Sequence, residues 1–212
     1  MLSPVRDILF SLVIVAILLT GSAMKRGTRV ATLYTLGVLL LTAAMTMVFR
    51  LAGVTALSGF HTDVRMDEIN FIPFVGMLDI LREGDTFYIV VNLLGNLVMF
   101  LPLGFLLPLL CPRLRRFWKV SLWGLGTSLL IECSQLFLSR GTDMDDLILN
   151  TAGAMLGYVF FLLLCRLFPS FPGKVTKDKA AGEIRFPLAA VLVPYGVVVL
   201  LGFCDRFIYF TM

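Results

Sequence analysis

The most chemically mixed stretch of the chain interrupts an apolar run. In IECSQLFLSRGTDMDDLILNTAGAMLGY, residues 131–158, Glu132 and Gln135 are followed by Arg140, Asp143, Asp145, Asp146 and Asn150. Upstream, Asn92 and Asn96 stand four apart in NLLGN. A carboxyl group can give or take a proton, and a guanidinium can grip a phosphate or carboxylate with two donors. Carboxamides both donate and accept, so they orient polar ligands. Asp143, Asp145 and Asp146 offer the oxygen ligands that a hard divalent cation takes, although one short acidic cluster makes this the lesser reading. No other cofactor is implied. His61 is the only histidine and falls outside this stretch, so no Ser/His/Asp or Cys/His nucleophile set is present.

These residues need elements to hold them. Of the 212 residues, 58% are hydrophobic and only 15% are charged, and the charges are clumped. The apolar runs are therefore long enough to span a bilayer, which takes about 20 residues of helix. The predicted spans are Val5–Met24, Val30–Phe49, Phe87–Leu110, Phe117–Leu138, Leu147–Phe168 and Phe186–Cys204. The expected fold is all-α: one polytopic membrane helix bundle over residues 1–212, with about six transmembrane helices. The first span reads as uncleaved, because Lys25, Arg26 and Arg29 follow it directly. After Pro73, the residues Phe74, Val75, Leu78 and Leu81 keep a helical period, with Asp79, Arg82 and Glu83 opposite. This predicts a short interfacial helix in the second loop.

Loop charge predicts orientation. Lys25, Arg26 and Arg29 follow span 1, and Arg113, Arg115, Arg116 and Lys119 follow span 3. Arg166, Lys174, Lys177, Lys179 and Arg185 surround the loop after span 5. The loops after spans 2 and 4 are acidic on balance. Both termini are expected outside the cytoplasm. The net charge of +4 then reports topology and inner-leaflet contact, with no nucleic-acid partner.

That topology brings the polar residues together. Glu132 and Gln135 lie near the outer end of span 4 and share a face, as do Asn92 and Asn96 on span 3. Asn150 is one turn below Asp146 on span 5, and Arg140 and Asp143 sit in the loop above. An ionisable side chain at the depth of Glu132 costs about 3 kcal/mol or more unless it meets a cavity or partner. Plainer readings stand beside the functional one. Asn92 and Asn96 can be interhelical hydrogen-bond glue. Asp143 or Asp145 can cap span 5. Glu132 and Arg140 can form a structural ion pair. Gly153 and Gly157, and Gly124 with Ser128, have the small-xxx-small spacing of close helix contacts. Pro102 and Pro108 should bend or end span 3. The four cysteines show no metal-ligand spacing and read as packing residues.

NFIPF, NLLGNLVMFLPLGFLLPLL and IECSQLFLSRGTDMDDLILNTAGAMLGY together resemble the VanZ-like membrane proteins over residues 69–158. Asn92, Asn96, Phe100, Pro102 and Gly104 carry the first part. Glu132, Gln135, Arg140, Asp143, Asp146, Asn150, Gly153 and Gly157 carry the second. The resemblance implies a bacterial cytoplasmic-membrane protein and a link to low-level teicoplanin resistance. The implied partner is a membrane lipid or lipid-linked cell-wall precursor, or the glycopeptide antibiotic itself. Two functional readings follow. One is binding or remodelling of such a lipid in an outer-leaflet pocket. The other is intramembrane enzymology with Glu132 as acid or base. Transport is a weaker third reading, since no inverted repeat is visible.

Overall fold

The computed structural model describes residues 4–26, 32–54, 72–74, 78, 82, 86–136, 144–176 and 185–211. The chain is all-helical over these residues. In order they form α1 (Pro4–Arg26), α2 (Thr32–Leu51), α3 (Thr86–Leu110), α4 (Phe117–Gln135), α5 (Met144–Leu167), the short α6 (Phe171–Val175) and α7 (Arg185–Thr211). A 3-10 turn, Pro112–Leu114, joins α3 to α4. Arg140, Asp143, His61 and most of the expected interfacial helix lie outside the described residues. Leu78 and Arg82 are helical, and the Leu78 N–H donates to the Phe74 carbonyl at 3.0 Å.

The six long helices match the six predicted spans. Five of them are long and apolar enough to cross a membrane. The sixth, α4, has 19 residues but carries Lys119, Thr127, Ser128, Glu132 and Gln135. Its polarity is one-sided: Thr127, Ser128, Glu132 and Gln135 are buried, while Leu122 and Leu129 are exposed. A helix of this kind can still face lipid with its apolar side while its polar side packs inward. The exposed apolar residues of α1, α3 and α5, among them Val13, Ile17, Val91, Leu94, Val98, Val159 and Leu163, fit the same arrangement.

Two groups of helices make the bundle. The helices α1, α2 and α7 pack together, as do α3, α4 and α5, and the contact of α2 with α3 joins the groups. Tyr34, Leu41, Met45 and Phe49 of α2 are fully or almost fully buried, as are Phe100, Leu103, Leu107 and Leu110 of α3. Within the second group α3 and α5 meet most closely. Glycine makes this possible. A Cβ on Gly153 would lie 2.2 Å from the Leu97 carbonyl oxygen, and one on Gly157 would lie 2.3 Å from that of Leu101. A Cβ on Gly104 would lie 1.9 Å from the Ala154 carbonyl oxygen. The G-x-x-x-G spacing thus marks direct backbone-to-backbone packing. The helix α3 passes through Pro102 and Pro108 and ends at Leu110. The prolines therefore do not stop it, in keeping with the tolerance of proline inside membrane helices.

Candidate functional site

The polar residues of α4 and α5 follow from the packing of those two helices. Gly124 of α4 lies against Ala154 of α5, at 2.6 Å for a built Cβ. One turn on, Asn150 Nδ2 donates to Ser128 Oγ at 3.0 Å. Four residues forward on α4 thus match four residues back on α5, as antiparallel neighbours require. The next step brings Glu132 to the level of Asp146. There Asn96 of α3 joins them, its Nδ2 donating to Asp146 Oδ1. Three helices therefore deliver an amide and two carboxylates to one level. Asn92 is one turn before Asn96 on α3 and is partly buried.

Other groups close around this level. Gln135 Nε2 donates to the Ala52 carbonyl at 2.8 Å, tying the end of α4 to the end of α2. Ser134 Oγ and Tyr195 Oη of α7 are 2.9 Å apart, and Tyr195 also meets Phe49 edge-to-face. Asp145 stands in the first turn of α5, not at its N-cap, and receives the Phe74 N–H at 2.5 Å on Oδ1. That hydrogen bond pins part of the second loop over the polar end. Phe74 has φ 70°, a left-handed backbone that a bulky residue adopts at a cost of order 1–3 kcal/mol. Strain of this kind is held only where surrounding contacts fix it.

Glu132, Gln135, Asp145 and Asn150 are all buried. Gln135 Oε1 and Asn150 Oδ1 are buried with no hydrogen-bond partner among the described residues. A buried acceptor left so costs about 1–3 kcal/mol. Acceptors of this kind could be answered by a ligand with donors to offer. Asp145 and Asp146 are both engaged by protein donors, and among the described residues no group of three His, Cys, Asp or Glu is placed to hold a metal. The cysteines are free. Cys111 is buried in the core and Cys165 packs against that core, whereas Cys133 and Cys204 are exposed.

A second charged cluster at the same end was not expected. Arg6 of α1 makes a two-pronged contact with Asp205 of α7, at 2.7 Å from both Nη1 and Nη2. It also reaches Asp7 Oδ1 at 3.1 Å, while Arg50 of α2 donates to Asp7 Oδ2 at 2.8 Å. Asp7 is fully buried. Glu132 is thus not the only acid buried in the bundle. Arg50 and Asp205 directly follow their predicted spans and Arg6 and Asp7 fall at the very start of span 1, so each reads in sequence as a boundary residue. The signal lay in topology: opposite charges at the same end of three helices.

The fold and site define a membrane-type helical bundle with a buried polar cluster at one end. The VanZ/LLP1 family profile matches residues 33–166, well over half of the chain, and the protein belongs to that family. No curated protein matches the chain, and no solved structure matches it. The family region extends back beyond the motif-bearing stretch to include α2, whose end supplies the Ala52 carbonyl to Gln135.

Proposed function

We propose that the cluster around Glu132 and Asp146 binds the polar head of a membrane lipid or lipid-linked cell-envelope precursor. The carrying observation is the stepwise pairing of α4 with α5, which brings Glu132 level with the Asn96–Asp146 hydrogen bond. Asn150 and Gln135 then offer buried acceptors beside it. A groove of about 320 Å³ runs between α4 and α7, lined by Leu122, Trp123, Thr127, Leu130, Val191 and Leu192. It is apolar, faces the bilayer and suits an acyl or prenyl chain.

In this reading the protein sits in the bacterial cytoplasmic membrane. Its polar end and both termini face outward, and the Lys/Arg-rich loops face the cytoplasm. Sequestering or shifting an envelope precursor there would lower access by a glycopeptide such as teicoplanin and give low-level resistance. Arg140 and Asp143, near the same end in sequence, would complete the headgroup contacts. A second reading is intramembrane acid–base chemistry, favoured by two carboxylates reaching one level. Extraction into native nanodiscs followed by lipid analysis tests the binding reading. A several-fold enrichment of one polyprenyl-linked or phospholipid species over the surrounding membrane is expected. A lipid content equal to the bulk membrane would overturn it. Orientation is tested with a cysteine-free background. A cysteine at position 67 should react with an impermeant thiol reagent on intact cells, and cysteines at 25 and 113 should not.

A further inference from the structure

We propose a second binding site, at the opposite end of the bundle, for a phosphate-bearing anion. The α3–α4 connection builds an open cleft of about 540 Å³ lined by Pro112, Arg113, Arg115, Arg116 and Lys119. Four cations thus face one space. The acids described in the structure, Asp7, Glu132, Asp145, Asp146 and Asp205, belong to the other end.

The cleft is built rather than merely charged. Arg115 Nε donates to the Pro108 carbonyl at 3.0 Å, and its guanidinium lies 5.8 Å from the Phe161 ring centre. Its backbone carbonyl accepts from Tyr158 Oη at 3.1 Å. Arg115 Nη2 remains buried with no hydrogen-bond partner among the described residues. Lys119 Nζ donates to the Arg113 carbonyl at 2.7 Å, which holds the ammonium over the same turn. The 19-residue helix α4 starts here with Arg116 as N-cap and no side-chain acceptor on its first N–H groups. Its positive dipole end adds to the cationic field. Setting topology needs only positive charge near a span. It needs neither a cleft nor an arginine tethered with one donor left over.

The ligand chemistry is a phosphate group carried by a lipid head or free in solution. Phe117 and Trp118 are exposed at the start of α4, the aromatic placement of a membrane interface, which puts the cleft at headgroup depth. The test uses the full chain in phosphatidylcholine nanodiscs with Trp123→Phe, which leaves Trp118 as the only tryptophan. Trp118 fluorescence is followed while short-chain phosphatidylglycerol or inorganic phosphate is added. A saturable response is expected, with the lipid binding about tenfold tighter than phosphate. Equal affinity would keep the site and assign it to free phosphate. No saturable response to either would overturn it. Arg113→Gln with Arg116→Gln, both exposed positions, should weaken binding about tenfold. Arg166→Gln with Lys174→Gln removes the same charge outside the cleft lining and should change it by less than about twofold. Equal losses in the two pairs would mean diffuse surface attraction and would also overturn the site.

Discussion

Two polar clusters occupy the same end of the bundle, and they are built on different principles. In the α1/α2/α7 cluster, Asp205, Arg6, Asp7 and Arg50 are linked in a continuous chain of ion pairs. In the α3/α4/α5 cluster, amides and carboxylates meet in steps of one turn, and two buried amide oxygens lack hydrogen-bond partners among the described residues. Balanced charge at three helix ends is what a clasp requires. Buried acceptors beside carboxylates are what a ligand site requires. We therefore read the first cluster as structural and the second as the proposed ligand site.

The sharpest break in that comparison is Asp7→Asn. It strips the carboxylate that serves both Arg6 and Arg50, and loss of one partner from a buried pair costs about 3–5 kcal/mol. The low end is expected, since both arginines keep some solvent contact. Thermal unfolding in detergent reads the loss. Asp7→Leu combined with Arg50→Met should recover most of it, because apolar replacement of a whole buried pair is close to neutral. Failure of that recovery would assign the clasp a role beyond stability.

A smaller effect is expected from Gly153→Ala, about 1–3 kcal/mol from overpacking against the Leu97 carbonyl. It locates the stability of the second group in the backbone contact of α3 with α5, not in its polar side chains. Ser128→Ala should be milder still, about 0.6 kcal/mol for one interhelical hydrogen bond. Unfolding curves that ranked Ser128→Ala above Gly153→Ala would make the polar ladder the structural core and blur the distinction between the clusters.

The parts legible in sequence were those written in side-chain period. Span 3, Phe87–Leu110, matches α3 to within one residue at its start and ends at the same residue. The Gly153/Gly157 spacing announced a close contact, and the shared face of Glu132 and Gln135 announced burial. What escaped was written in tertiary geometry. Arg6 and Asp205 are 199 positions apart, and each alone is an ordinary span-end charge. The Ala52 carbonyl and the Phe74 N–H are backbone groups, which carry no residue-type signal at all. The prolines of α3 are a related case: the helix runs through Pro102 and closes at Leu110, just after Pro108. Propensity describes an isolated helix, and neighbours within a bundle can hold it through Pro102 and Pro108.

The central claim, that one cluster holds the fold and the other holds a ligand, is tested most directly by measuring Glu132→Gln and Asp7→Asn side by side. Each variant is extracted in native nanodiscs, and both its co-purifying lipid and its thermal unfolding are read at matched protein amounts. The account predicts that Glu132→Gln unfolds within about 1 kcal/mol of the wild type, since the amide keeps shape and most hydrogen bonding, yet loses the enriched lipid. Asp7→Asn should show the reverse, losing stability while the folded fraction keeps its lipid. If Glu132→Gln instead retains the full lipid complement, or falls in stability as far as Asp7→Asn, the division of labour between the two clusters is wrong.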